Sequence, residues 1–423
     1  MTDRPDPTLL ALFEAALRAV QAETCVPPHL PPPPAGRTVV VGAGKAAAAM
    51  ARAVEQRWDG PLSGAVVVPY GHGVGCERIA VIEAAHPVPD AAGEAAARRM
   101  LDLAAGLGPD DLLLALVSGG GSALLALPAP GVSLADKRAV TGALLRSGAP
   151  IAAINCVRKH LSAIKGGRLA ARARPARLAT LVVSDVPGDD PATVASGPTL
   201  ADATTLADAR AVLARYRIAP PDAVRRALED PANETPKPGA AEGAVHIVAR
   251  AGDALATVCA AARAAGFEPV DLGGGIEGEA REVAAAHAAL ALRHAALGRA
   301  VALVSGGETT VTIAGEAGRG GRNAEYALAL ALALDGRAGI RAIACDTDGI
   351  DGDSEAAGAV VGPDTLARAR AAGLDAAAML EGHRSGAFFA ALGDAVVTGP
   401  TRTNVNDFRC ILIAAGPEER TDL

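Results

Sequence analysis

Aromatic residues are nearly absent: one Trp, three Tyr and five Phe in 423 residues, 2% of the chain. A core built on stacked rings is excluded, so bulk must come from Leu, Val and Ala in layers of helix on sheet. No run of Lys or Arg occurs and the net charge is -7, which argues against a nucleic-acid partner because a phosphate-binding surface needs a concentrated basic patch. A compact anionic substrate stays open, since a few cations in a cleft suffice. The six cysteines form no C-x-x-C pair and read as reduced thiols. Residues 1–7 lack an apolar signal-type run. The longest uncharged stretch, residues 112–135, is broken by Gly119, Gly120, Gly121, Pro128 and Pro130, so a continuous membrane-spanning helix is not expected. The reading is a soluble, cytoplasmic protein without a membrane partner.

What is present is an apolar chain, half hydrophobic with mean hydropathy +0.25, which rules out disorder. Its length suggests more than one core. Only five of the 40 basic residues are Lys, and only five residues are Asn. A GC-rich genome disfavours both, so a surviving Lys marks a place where a compact point charge is needed and Arg will not serve. Lys45, Lys159 and Lys165 fall in the segments singled out below. Lys237 and Asn233 fall in a Pro-rich stretch and read as incidental.

Periodicity predicts an entry helix over 8–22, then strands at 38–41, 65–68, 80–82, 112–117 and 178–183. Helices over 45–57, 91–107 and 134–145 alternate with them, the signature of a doubly wound α/β layer. A Pro-rich linker is expected over 219–241. A second α/β segment follows, with strands at 245–248, 301–304 and 340–344, helices at 253–264, 279–297 and 323–334, and a β-rich end near 394–413. The domains are accordingly set at 1–240 and 241–423.

Several strand ends carry polar loops. Gly42-Ala43-Gly44-Lys45 has the spelling of a dinucleotide fingerprint. The acid that should hold the ribose about 20 residues on is missing, because the next strand runs into Pro69-Tyr70. Lys45 and the helix start could act together on one anion; a glycine turn made for tight packing is the alternative. Ser118-Gly119-Gly120-Gly121-Ser122 could curl its N–H groups around an anion. Ser305-Gly306-Gly307-Glu308 is read as a second such loop. Gly320-Gly321-Arg322-Asn323, opening a helix, suggests a mobile cationic clamp, or else a solvated turn. Asp185 ends an apolar strand, where open α/β sheets place ligands, and is the first candidate for base or metal ligand. Asp346-Thr347-Asp348-Gly349-Ile350-Asp351 fails as an EF-hand because Ile350 cannot ligate, but could hold Mg²⁺ with waters. An Asp-Gly turn is the alternative. Arg158, Lys159, Lys165 and Arg168 make the most basic place in the chain, which otherwise reads as a solvated helix face. His86, before Pro87, reads as structural. No Walker A, H-E-x-x-H, G-x-S-x-G or H-R-D motif occurs.

Taken together, Gly42–Lys45, His86–Asp90, Val117–Leu124, Asn155–Gly167, Val183–Thr199, Ser305–Glu308, Gly320–Glu325, Asp346–Gly352 and Thr398–Asp407 resemble the class II glycerate 2-kinases. This family has a DUF4147 N-terminal and a MOFRL C-terminal region, and its members are often labelled hydroxypyruvate reductase. The resemblance runs the length of the chain in order. It implies a Rossmann-like doubly wound N-terminal domain, a smaller α/β C-terminal domain and an active site in the cleft between them. It also implies transfer of the γ-phosphoryl of ATP, with Mg²⁺, to the 2-hydroxyl of D-glycerate, giving 2-phosphoglycerate. The resemblance points to Lys45 and Arg322 as the catalytic cations; Asp185 is added on its position alone, as nucleophile orienter or Mg²⁺ ligand. Metal ligands would be Asp185 and Asp346. Gly42, Gly44, Ser118, Gly119, Gly120, Gly121, Ser122, Lys159, Ser305, Gly306, Gly307, Glu308, Asn323 and Asp348 would line the nucleotide. A homodimer stays open. The alternatives are an NAD(P)H-dependent hydroxypyruvate reductase and a non-catalytic anion-binding protein.

Overall fold

The structure, a computed structural model, describes residues 6–239, 243–313 and 318–416. The first five residues and the last two of the expected linker lie outside them. Contacts divide the chain into two units, Gln21–Ala249 and Met1–Val20 with Arg250–Leu423.

In the first unit β1 (Thr38–Ala43), β2 (Leu62–Pro69), β3 (Ile79–Ala84), β4 (Leu112–Val117), β5 (Arg177–Val183) and β6 (Ala244–Ala249) form one sheet in the order β3-β2-β1-β4-β5-β6. Every pairing is parallel. All six residues of β1 and all six of β4 are buried, as the unbroken apolar runs require for central strands covered on both faces. Helices alternate with the strands and are locally encoded. Asp90 caps Ala91–Ala105 through Gly93 N, and Ser133 with Asp136 forms a capping box for Leu134–Arg146.

The second unit holds β7 (Glu268–Asp271), β8 (Ile276–Glu279), β9 (Val301–Thr310), β10 (Ile340–Asp346), β11 (Gly358–Val361), β12 (Ala395–Val396) and β13 (Asp407–Ile413). Their order is β12-β11-β10-β13-β9-β7, with β8 also on β9. The β10, β11, β12, β13 and β9 pairings are antiparallel, whereas β7 and β8 run parallel to β9. Small residues do the work that rings do elsewhere. Helix Ala280–Ala296 buries Ala280, Ala284, Ala288 and Ala291 on one stripe and packs closely on helix Arg322–Leu334.

Three expectations change. The stretch 219–241 is not a linker between the units. Helix Asp222–Glu229 and the 3₁₀ turn Pro231–Asn233 lie in it, β6 beyond it completes the first sheet, and the division falls at 249/250 rather than 240/241. Pro221 caps the helix and Pro231 opens the 3₁₀ turn, positions where the missing N–H has no cost. Asn233 and Lys237 are not incidental. Asn233 Nδ2 donates to His160 O at 2.7 Å and Arg168 donates to Asn233 O at 2.6 Å. Lys237 Nζ donates to Glu234 Oε1 at 2.7 Å. Residues 305–308 are not a loop either, because β9 continues through them to Thr310, paired with both β13 and β8. Gly307 sits at φ 122°, and a Cβ there would lie 2.1 Å from Ile276 O, so the glycine admits β8.

Helix Pro7–Val20 belongs with the second unit. Phe13 stacks on Phe408 with centroids 5.5 Å apart, Asp6 pairs with Arg341, and Thr403 Oγ1 donates to Val20 O at 2.8 Å. The six cysteines are free thiols. Among the described residues no helix is long and apolar enough to cross a membrane. Phe13→Ala is expected to cost about 3–5 kcal/mol in urea-unfolding equilibria. Limited proteolysis should then cut the second unit before the first; loss of less than about 1 kcal/mol would mean the helix is only loosely attached.

Candidate functional site

In the first unit the polar loops gather along the edge where the parallel strands end. β1 runs out into Gly44 and Lys45, β3 into His86, β4 into the 118–122 loop and β5 into Ser184 and Asp185. The loops after β1 and β4 are bonded to each other. Lys45 N donates to Gly119 O at 2.8 Å, Ala46 N to Ser118 Oγ at 3.0 Å, and Ser118 N to Ala43 O at 3.0 Å. Gly42 lies inside β1, opposite Leu116 and Val66, and a Cβ on it would meet Leu116 O at 2.5 Å. Gly44, at φ 128°, would place a Cβ 2.2 Å from Ser118 Oγ. Both glycines make room for β4 and its loop, and the amides of Lys45 and Ala46 are taken by that loop. The packing reading therefore accounts for them, while the Lys45 side chain is half-buried beside Gly120.

Gly120 adopts φ 80° and ends the strand turn. A Cβ built on it would lie 3.1 Å from His86 Nε2 and 3.5 Å from Lys45 Cγ, so these two side chains flank it. His86 thus stands at the strand edge with Lys45, a placement that a lone His-Pro in sequence did not signal. On the other side of the loop, Ser122 Oγ lies 2.8 Å from Ser196 Oγ, which donates to the buried Asn155 Oδ1 at 3.1 Å. Ala195, Ser196 and Gly197 all have positive φ, strain of the kind found where a chain is held in position for a site. Lys159 pairs instead with the buried Asp202 at 3.4 Å.

The second unit gathers a different set. Arg322, the first residue of its helix, donates from Nε to Asp407 Oδ1 at 2.7 Å, from one terminal nitrogen to Asp346 Oδ2 at 2.8 Å and from the other to Glu308 Oε1 at 3.0 Å. Burial disfavours its charge, but the three carboxylates outweigh burial and hold its pKa above the usual guanidinium range. The mobile clamp expected from the glycines is therefore a pinned one. Asp407 is buried and also takes hydrogen bonds from Asn323 Nδ2 at 2.8 Å and from Arg409. Asp351 caps the same helix. Its Oδ1 accepts from Asn323 N at 2.9 Å and its Oδ2 from Ala324 N at 2.8 Å, a carboxylate at a helix N-terminus. Asp346 Oδ1 accepts from Asp348 N at 3.0 Å and Asp348 Oδ1 from Ile350 N at 2.8 Å. Asn323 Oδ1 is buried with no hydrogen-bond partner among the described residues.

Ser305, Gly306, Gly307 and Glu308 enter this set as strand residues, with only Glu308 reaching Arg322. Asp407, Arg409 and Asp351 were missed as site residues. Their signal was weak: rare Asn404 and Asn406 beside Asp407, and a third Asp in a segment that also spells a turn. Among the described residues no group of three or more His, Cys, Asp or Glu forms a ready metal cage.

A domain of unknown function, DUF4147, matches residues 8–229, and the MOFRL family matches residues 301–407. A protein of Agrobacterium vitis, provisionally named a hydroxypyruvate reductase, is 54% identical over 96% of this chain and 94% of its own length. A D-glycerate 2-kinase of Thermotoga maritima is 38% identical over 94% of this chain and 96% of its own. The crystal structure of glycerate kinase from Thermotoga maritima superposes with TM-score 0.88 and 38% identity, covering 96% of this chain and 99% of that one.

Burial, against the two helix amides, raises the Asp351 pKa from 3.8 to about 6, with Asp407 adding repulsion. A folded pKa above the unfolded one means the native state binds the extra proton. The group's stability contribution is full below pH ~4 and is lost as pH rises through about 6. The loss is on the order of 2–3 kcal/mol. His287, lowered to about 4 mainly by burial, acts with opposite sign in the same window. The informative quantity is therefore the difference between the wild-type and Asp351→Asn denaturation curves from pH 4 to 7. That difference should shift in favour of the variant as pH rises; a flat difference would show that Asp351 does not titrate there.

Proposed function

The chain belongs to the glycerate 2-kinase family of DUF4147 and MOFRL proteins, and from that premise we propose how its residues transfer the phosphoryl group of ATP to the 2-hydroxyl of D-glycerate. The observation that carries the activity is the match to a D-glycerate 2-kinase along almost the whole of both chains. The hydroxypyruvate reductase name does not transfer. The strand that should end in a ribose-binding acid ends in Pro69-Tyr70, and the Lys45 and Ala46 amides are occupied by the 118–119 loop.

Phosphoryl transfer needs fixed positive charge on the moving group and a positioned acceptor more than it needs covalent chemistry. Lys45 supplies a compact charge at the strand edge and Arg322 a planar one, held in a single orientation by three carboxylates. His86 stands beside Lys45 within reach of the same bound groups. Asp185, just past the end of β5, orients the acceptor hydroxyl and takes up its proton as the oxygen bonds to the γ-phosphorus and the bond from that phosphorus to the bridging oxygen breaks, releasing ADP. In the first unit the 118–122 loop would contact the nucleotide phosphates.

In the second unit Glu308, Asp346 and Asp407 answer Arg322, Asp407 also answers Arg409, Asp346 accepts from Asp348 N, and Asn323 Oδ1 is a buried oxygen still lacking a donor, so a few oxygens rather than a cage are on offer to Mg²⁺. Asp346, Asp348 and Asn323 would hold the ion. Mg²⁺ characteristically uses one or two carboxylates and completes its shell with water and phosphate oxygens, so a full protein cage is not required. When bound it neutralises phosphate charge. Use of ATP suits a cytoplasmic protein.

Two measurements test this. ADP release should require D-glycerate and Mg²⁺, with 2-phosphoglycerate identified by NMR, and hydroxypyruvate should not consume NADH. Robust NADH oxidation would overturn the assignment. Lys45→Arg should lose roughly 10²–10³-fold in kcat, nearly as much as Lys45→Ala, with both melting curves unchanged, because a longer planar group does not fit beside Gly120. Near-normal turnover by Lys45→Arg would remove Lys45 from the reaction.

A further inference from the structure

The first unit contains a cavity of about 120 Å³ that the sequence did not suggest. Its walls come from Pro87–Pro89 after His86, from Ser122 and Ala123 of the glycine loop, and from three buried or half-buried cations, Lys137 and Arg158 on helices and Lys165 in a turn, with the exposed Arg138 beside them. No acidic residue lines it.

The three cations are poorly compensated. Lys165 is fully buried, and its ammonium donates to Ala195 O at 3.4 Å. Lys137 is 5% exposed and donates to Ala126 O at 3.2 Å and Leu127 O at 3.3 Å. These carbonyls offer only partial charges. Arg158 makes no hydrogen bond or ion pair among the described residues. Burial first, and then repulsion from Arg158, lowers the Lys137 pKa to about 7. Burial, followed by Lys137 and Arg158, drives Lys165 well down. The one acid that opposes this at Lys137 is Glu94, and it is engaged by Arg98 at 2.8 Å.

Keeping two buried amines beside a half-buried guanidinium with no counter-charge is costly, and apolar residues of similar size would be more stable there. Their presence is explained by an anion that arrives from outside. An engineered cavity of roughly 150 Å³ takes up a benzene, so this one suits a small acid and is too small for a nucleotide. Two ammonium groups and one guanidinium fork match a carboxylate. Two of its lining residues, Pro87 and Ser122, follow closely on His86 and on the Gly120 turn that Lys45 and His86 flank.

We propose that this pocket binds the carboxylate of the acceptor acid, with Lys137, Arg158 and Lys165 as its counter-charges and Ser122 as a neutral donor. The proposal rests on the glycerate 2-kinase reading and adds where the acceptor sits. Anchored there, the acid extends its hydroxyl-bearing carbon towards the strand edge that carries Lys45. Ala126, which is buried, gives the pocket an apolar floor, where a charge–charge contact is stronger than in water.

The test compares Lys137→Met and Arg158→Lys with wild type. The readouts are steady-state kinetics, calorimetric binding of D-glycerate without nucleotide, and thermal melts, with ATP and inorganic phosphate as separate titrants. Lys137→Met should raise KM for D-glycerate about 10- to 100-fold, the loss of one charge-assisted bond. KM for ATP should stay within about twofold and the melting temperature should equal or exceed that of wild type. Arg158→Lys keeps the charge but not the fork; it should weaken glycerate binding by a smaller factor with an unchanged melt, and it keeps the test open should the first variant misfold. A rise in the KM for ATP, or lost phosphate binding with glycerate binding intact, would make this a phosphate site and overturn the proposal. A lower melting temperature with unaltered glycerate binding would assign the cations to structure, overturning it equally. Wild-type protein that does not phosphorylate D-glycerate would instead bring down the underlying activity, whatever the variants do.

Discussion

Asp407 is a carboxylate with 2% of the residue exposed, and the second unit is organised around answering its charge. Arg322 and Asn323 reach it from the start of one helix, Arg409 from two residues along β13, and Thr309 N from β9 at 3.2 Å. Removing a partner from a buried ion costs several kcal/mol, about 3–5 by the usual measure. The network therefore fixes the helix start relative to two strands. Arg322 is consequently held in one orientation before any ligand arrives, as electrostatic catalysis requires.

The two units handle charge in opposite ways. The second concentrates carboxylates and offsets them with two guanidinium groups, leaving a net negative set with an orphaned amide oxygen. The first gathers Lys137, Arg158 and Lys165 around one cavity whose lining holds no carboxylate. Each is an incomplete ionic arrangement, and each lacks what a different part of the proposed reaction brings: a divalent cation on one side, an organic acid on the other.

Scarcity of aromatic residues shapes the scaffold that carries these sites. Ala stripes let helices approach closely, and glycines at Gly42, Gly44 and Gly307 let strands and loops approach where a methyl group would collide. Such packing leaves little freedom at strand ends, which keeps Lys45 and His86 beside the Gly120 turn.

Periodicity and composition alone determined the α/β class, the strand at 112–117 to the residue, and the helices within a few residues. Local order there follows from neighbours a few positions apart. Lys45 could be singled out from sequence because Lys is rare and the strand–glycine–helix pattern is local. Residues 305–308 read as a loop because a Ser-Gly-Gly run looks alike whether its N–H groups face a ligand or another strand. Only the approach of β8 decides that it is a strand. The Pro residues at 219–241 read as a linker because Pro breaks helices in their interior but starts them at their ends, and the difference lies in what packs behind. Only tertiary structure could bring Lys137, Arg158 and Lys165 to one cavity, or Asp346, Asp407 and Glu308 to one guanidinium. The carboxylates stand 14, 24 and 85 positions from Arg322, and groups spaced so irregularly along a chain leave no periodicity to read.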